Sequence, residues 1–438
     1  MEMRRINRCH DITMSKVLAV HGLNMARYTG VLCHITSLPS GTLDDAERFI
    51  EILSKSNASV WQMLPITPPD EHGSPYASPS AFAADANLGQ SKPISMELEE
   101  YWLNDWLLFE EIKRLQNGAP WTDWPKELRD RDPQALAEIK LDSSKQANFM
   151  GRWLEVRNFA DSKGISLIGD LPFFVAHDSA DVWAHRELFL LEENGLPSVV
   201  AGVPPDYFSK DGQRWGTVLY DWPAHRENNW LWWRERMKRM MRLFDIVRID
   251  HFRGIHSAWA IPTKEKTARN GKWLEGPKDE LIEVLIQTAG SHECIIAEDL
   301  GIIPKEVLEM RKRHRLEGMS VLHFGFDDDN ADNPHRPENI TFDQVVYTGT
   351  HDNDTTIGWW NNSIPKRRTR VEKLANTGES ICQTMIRLAV ESPAGMAIIP
   401  LQDIMELETN ARMNTPGTAH GNWKWRFEWD SLQKFSLK

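Results

Sequence analysis

Asp245-Ile246-Val247-Arg248-Ile249-Asp250-His251-Phe252-Arg253-Gly254 is the stretch on which the fold turns. Its first six residues read as a strand, rich in β-branched apolar side chains. Such a near-continuous run is what a strand buried on both faces of a parallel sheet requires. Arg248 and Asp250 lie two residues apart, so on a strand they share a face. The run ends on an acid and then breaks into a Gly-containing turn.

Seven further runs of this kind occur, over 30–35, 59–63, 165–170, 294–298, 320–324, 344–347 and 395–400. Helical patterns separate most of them. Residues 43–54 carry Phe49, Ile50 and Leu53 after the candidate caps Asp44 and Asp45. Residues 230–244 carry Trp233, Met237, Met240, Met241 and Phe244, and 278–289 is a third such stretch. Eight strand–helix units predict an α/β fold, a (β/α)8 TIM barrel. Residues 64–150 and 171–229 do not fit the alternation and read as insertions at the C-terminal face of the barrel, where active sites sit. The expected organisation is a tail over 1–26 and a single catalytic barrel over 27–438.

Three of the strands end in an acid or run into one: Asp250 closes the fourth, Glu298 the fifth, and Thr348-Gly349-Thr350-His351-Asp352 follows the seventh. A single Asp at a strand end most often caps the next helix. Three acids converging on one barrel mouth, with an Arg and a His beside them, suit glycosyl transfer instead. One carboxylate attacks the anomeric carbon; a second carboxyl protonates the leaving oxygen and later deprotonates the incoming hydroxyl. For retention the two lie about 5–5.5 Å apart. Arg248 is placed to pair with Asp250, and negative charge at Asp250 would raise the pKa of Glu298.

Composition narrows the partners. The 438 residues carry a formal net charge of −12, which disfavours a nucleic-acid backbone. No run approaches the roughly 18 apolar residues of a membrane span. The weak apolar run Val17 to Val20 is not the core of a secretory signal, so a cytoplasmic location is expected. The four cysteines are scattered without a C-x-x-C pair and read as reduced, mostly buried thiols. Nineteen Trp against six Tyr suit a core, and also a cleft in which sugar rings stack on flat indoles. His351, Asp352 and Asp354 lie in one short segment, which is not a ligand set, so no metal is expected. No phosphate-cradling Gly loop is present, and the chemistry needs no cofactor.

The chain resembles the 4-α-glucanotransferase family, also called amylomaltases or disproportionating enzymes, of the α-amylase clan. The resemblance runs from about Arg27 to Phe427. Its strings include HITSLP at His34 to Pro39, Ser74-Pro75-Tyr76, Gly169-Asp170-Leu171-Pro172, Pro204-Pro205-Asp206-Tyr207-Phe208, Gly212-Gln213-Arg214-Trp215-Gly216, YTGTHDNDT at Tyr347 to Thr355, and Arg412-Met413-Asn414-Thr415. The resemblance implies Asp250 as nucleophile, Glu298 as general acid/base and Asp352 as transition-state stabiliser, with His351 binding the same sugar. It implies substrate contacts from Asp206, Gln213, Trp215 and Asn414, and an aromatic platform at Tyr76. Tyr76 and Tyr207-Phe208 would help exclude water, so that a sugar hydroxyl captures the intermediate. The implied partners are a maltooligosaccharide or glucan donor and a glucose or glucan acceptor. An α-glucan hydrolase of the same clan, or a non-catalytic glucan-binding relative, are the alternatives.

The chain departs from the family's pattern in places. The turn after Pro39 is short. An extra helical region expected between Leu88 and Glu97 is missing, and 139–151 is shortened. Thr217-Val218 stands where Asn-Pro is usual. A compact member acting on short maltooligosaccharides is expected.

Overall fold

The computed structural model describes residues 28–205, 210–418 and 420–432. Its strands, in chain order, are β1 (Tyr28–Leu32), β2 (Val60–Gln62), β3 (Ser166–Leu171), β4 (Val199–Val203), β5 (Gln213–Val218), β6 (Ile246–Ile249), β7 (Ser257–Pro262), β8 (Lys272–Glu275), β9 (Ile295–Ala297), β10 (Gly318–Val321), β11 (Gln344–Tyr347) and β12 (Met396–Pro400). Eight of them form one parallel sheet in the order β10-β11-β12-β1-β2-β3-β6-β9. A parallel bridge between Ile296 and Glu317, with Ala297 N–H donating to the Glu317 carbonyl at 2.8 Å, closes the ring from β9 towards β10. Each of the eight runs read from the sequence falls on one of these strands, the sixth only at Ser320 and Val321 because Leu322–Gly325 turns into a short helix, and the fold is a (β/α)8 barrel.

Alternation along the strands builds two cores. Val60, Ile168, Ile246, Ile296, Met319, Val345 and Ile398 pack together inside the barrel. Their chain neighbours Trp61, Leu167, Val247, Ile295, Val346 and Ile399 face outward and belong to the larger core shared with the helices. Each fully buried side chain of this size contributes about 1.5–3 kcal/mol. A one-residue slip of any strand would exchange the two sets, which fixes the register. That register puts Arg248 opposite Asp170 and Ile249 opposite Ala297.

The three expected helices appear as Ala46–Lys55, Leu231–Leu243 and Asp279–Ala289. Of the two expected caps of the first one, Asp45 stands at the N-cap position but its side chain makes no capping bond, and Asp44 lies in a preceding single turn whose head is capped by Thr42, which accepts the Asp44 N–H. The expected eight regular units also break down between β10 and β11. That connection holds only the short helices Leu322–Gly325 and Pro337–Asn339, because residues 327–335 are rich in Asp, Asn and Pro, which favour turns.

A second, antiparallel sheet stands beside the barrel in the order β5-β4-β7-β8. Two of its strands come from the excursion at 171–229. The other two, β7 and β8, come from an excursion after β6 that the periodicity does not announce. Cys33 and Cys382 are free and buried, whereas Cys294, expected as a reduced thiol, is disulfide-bonded. No helix among the described residues is long and apolar enough to cross a membrane. The expected tail over 1–26 lies outside the described residues.

Candidate active site

The barrel interior turns polar at its C-terminal end. Ile168, Ile246 and Ile296 are inside, so Asp170, Arg248, Asp250 and Glu298 continue the same face. Arg248 is buried and donates through Nη1 to both oxygens of Asp170 at 2.7 Å. Its Nη2 pairs with Asp250 Oδ1 at 2.9 Å. One guanidinium thus orients two acids on neighbouring strands, a task its rigid fork suits.

The ladder between β6 and β9 continues one residue past the strands. Glu298 N–H donates to the Ile249 carbonyl at 3.0 Å, which sets Asp250 directly beside Glu298. Neighbouring strands run about 4.8 Å apart. His251 then adopts a left-handed backbone, with φ of 51°. Its N–H leaves the ladder and donates to Glu298 Oε2 at 2.6 Å, while Phe252 N–H takes its place on the Glu298 carbonyl at 3.1 Å. A left-handed non-glycine costs of order 1–3 kcal/mol. Here it delivers a backbone donor to the carboxyl next to Asp250. Leu300 N–H donates to the other oxygen, Oε1, at 3.1 Å.

Burial, and then the negative charge of Asp250, push the Glu298 carboxyl up to about 8; Arg248 and the two N–H donors oppose this without cancelling it. Glu298 therefore carries a proton at neutral pH. His251 is pushed down to about 4 by burial and is neutral.

Tyr76 links this group to the loop after β11. It sits in a short turn, Pro75–Ala77, opened by Ser74, whose hydroxyl accepts the Tyr76 N–H. Its hydroxyl donates to Asp170 Oδ2 at 2.7 Å, and its ring stacks on His351 with centroids 5.2 Å apart. Burial, with the charges of Asp170, Asp250 and Asp352 around it, drives the phenol well above its ordinary value. His351 Nε2 lies 3.3 Å from Asp352 Oδ1, and Asn414 Nδ2 donates to that oxygen at 2.6 Å. The half-exposed Asp352 is therefore fixed from two sides. Asp403 anchors the loop from below by accepting from Thr348 and from Thr356 N–H.

Trp215 lies on β5 of the side sheet, 39% exposed, edge-on to the His251 ring at 4.9 Å. Gln213 accepts its indole N–H at 3.1 Å. The structure thus joins Tyr76, Gln213, Trp215, Arg248, Asp250, Glu298, His351, Asp352 and Asn414 in one network. Asp206, with Tyr207 and Phe208, lies outside the described residues. Sequence reasoning missed Asp170, His251 and Trp423, whose indole lies 5.9 Å from Tyr76 and 6.0 Å from His351. Asp170 carried a usable signal, since it closes the third strand as Asp250 closes the fourth. Trp423, in an irregular segment, carried none. No group of three or more His, Cys, Asp or Glu that could hold a metal occurs among the described residues.

A family model described as 4-alpha-glucanotransferase matches residues 33–95 and 90–432. The chain belongs to the 4-alpha-glucanotransferase family. It is an enzyme, and transfer of α-1,4-glucan segments is its reaction class. It is 40% identical to the 4-alpha-glucanotransferase of Synechocystis, over 93% of this chain and 95% of that one. It is 39% identical to the chloroplastic/amyloplastic 4-alpha-glucanotransferase of Solanum tuberosum, over 92% and 82%. Among solved structures, an amylomaltase from Streptococcus agalactiae in complex with acarbose superposes with a TM-score of 0.87 at 31% identity, covering 93% of this chain and 96% of that one. The family match breaks at 90–95, where the sequence lacks the expected helical region.

Proposed function

We propose that the enzyme transfers an α-1,4-glucan segment to glucose or another glucan by retaining double displacement, with Asp250 as nucleophile and Glu298 as acid/base. Arg248 holds Asp250 Oδ1, leaving the other oxygen for the anomeric carbon. As the glycosidic bond breaks, protonated Glu298 gives its proton to the leaving oxygen. The resulting carboxylate then takes a proton from the incoming hydroxyl, and the glycosyl group leaves Asp250 with configuration retained. Asp352, held by His351 and Asn414, binds ring hydroxyls of the same sugar as positive charge develops. Tyr76 gives that sugar an aromatic face, and Trp215 walls the opposite side. Asp206 and Gln213 complete the substrate contacts. The observation that carries this reading is the side-by-side placement of a proton-bearing Glu298 and an Arg-paired Asp250.

A Glu298→Gln chain supplied with maltotriosyl fluoride tests it. Fluoride departs without a proton, whereas release of the glycosyl group needs the missing base, so a covalent adduct on Asp250 should accumulate and be found by peptide mass spectrometry. An adduct on another residue, or none, would remove the assignment. Maltotriose given to the native enzyme should yield a ladder of longer oligosaccharides. Reducing ends released as fast as the ladder grows would favour the hydrolase reading. The cytoplasmic location expected from the sequence belongs to this proposal, and cell fractionation tests it.

A further inference from the structure

Behind the Trp215 side of the mouth lies a second cavity, of about 290 Å³, between the excursion after β3 and the side sheet. That is close to the lower end of small-ligand pockets, about 300–1,000 Å³. It would hold roughly ten water molecules at ~30 Å³ each. Phe174, Tyr220 and Trp222 give it an aromatic wall, and Leu274 of β8, Asp221 and Glu275 are among its other lining residues; Asp221 Oδ1 accepts the Ala224 N–H at 3.1 Å as a helix cap, which leaves its second oxygen for a ligand. Tyr220 spends its hydroxyl on the Phe173 carbonyl at 2.6 Å, so what it offers the cavity is its ring. Flat rings flanked by carboxylates match the chemistry of a pyranose. Its C–H face is apolar and its rim of hydroxyls needs acceptors.

The cavity is also joined to the mouth. The Phe174 ring lies 6.1 Å from Trp215 and 5.9 Å from His251 on one side. It stacks on Tyr220 at 6.3 Å on the other, and Tyr220 lies 4.9 Å from Trp222. A row of aromatic rings thus leads from beside Asp250 into the cavity. We propose that this cavity is a remote subsite for a glucosyl unit of the α-1,4-glucan substrate, reached by a chain that extends past Trp215. This rests on the function proposed above and adds a binding position outside the reacting centre.

The test compares maltotriose with maltoheptaose on the full chain. Three variants change the cavity: Ala258→Phe fills it, Trp222→Ala removes its wall, and Glu275→Ala removes a carboxylate. Glu275 is largely exposed and among the described residues pairs with Lys278 at 3.2 Å, so that variant folds even if Trp222→Ala does not. KM for maltoheptaose should rise about fivefold or more relative to KM for maltotriose, with little change in kcat, the pattern of lost uniform binding. Equal effects on both substrates, or none, would overturn the subsite. Calorimetric titration of maltoheptaose into an Asp250→Asn chain, with and without Ala258→Phe, needs no turnover. Affinity lowered by a similar factor supports the subsite, and unchanged affinity overturns it. Absence of transfer by the native enzyme would instead defeat the function reading alone.

Discussion

Glu298 keeps its proton at neutral pH because burial and the Asp250 charge outweigh Arg248 and two backbone donors, placing its pKa at about 8 against an ordinary 4.5. For an acid, a raised folded value has one sign. In the acid role proposed for Glu298 the protonated form is the competent one, full below that value and lost as pH rises through it. With maltotriose, kcat/KM should therefore fall above about pH 8. With a glycosyl fluoride the first step needs no proton, so the same limb should be missing from its profile. A limb that persists with the fluoride would take the acid role away from Glu298. The shift also bears on stability: between pH 4.5 and about 8 the unfolded chain releases this proton and the folded chain holds it, so stability declines across that window. At this scale the sequence was informative where a residue's neighbours along its own strand decide its role, as for Arg248 and Asp250. It was silent where the partner arrives from elsewhere. His251 matters through a backbone N–H turned by its left-handed conformation, and nothing in the letter His announces that.

The eight barrel strands were legible because both of their faces are buried, which forces continuous apolar runs. The side-sheet strands β5 and β8 were not. Their residues are mostly exposed and read Gln-Arg-Trp-Gly-Thr and Lys-Trp-Leu-Glu, with no apolar run to mark them. The missing helical region after Leu88 was legible as a short connection, but not its packing. Residues 89–96 lie along the helix Ser144–Ser162, with Ser91 N–H donating to the Asn148 carbonyl at 3.0 Å and Ile94 N–H to the Ala147 carbonyl at 3.3 Å. A Cβ on Gly151 would stand 1.9 Å from the Lys92 carbonyl oxygen, a backbone atom tied into this strap. Glycine in a helix interior costs about 0.5–1 kcal/mol relative to alanine. Gly151→Ala would therefore stabilise if propensity ruled. The contact predicts the reverse, a loss of about 1–3 kcal/mol, read as a lowered denaturant midpoint at unchanged slope. A raised midpoint would mean that the strap lifts away freely.

The alignment with the Synechocystis enzyme spans 479 positions, more than the 438 residues of this chain, so that relative holds stretches with no counterpart here. The network around Asp250 and Glu298 stands without them, its described members being carried by the barrel strands, the side sheet and the loops after β2, β11 and β12. What a missing helical region on the barrel's C-terminal face removes is surface on which a distant part of a glucan could rest. Binding energy from remote sugars raises kcat/KM only while further units find contacts. For this enzyme kcat/KM should rise with maltooligosaccharide length and level off within the oligosaccharide range, the cavity behind Trp215 accounting for the last increment. Amylose should be no better a donor per chain than the oligosaccharide at the plateau. Large cyclic products, which require one long chain to fold back on the mouth while its far end is held, should be scarce. Initial rates across a length series, with chromatography of the products, measure both. Activity confined to high-molecular-weight starch would show that long chains are held by surfaces other than those the shortened region removes.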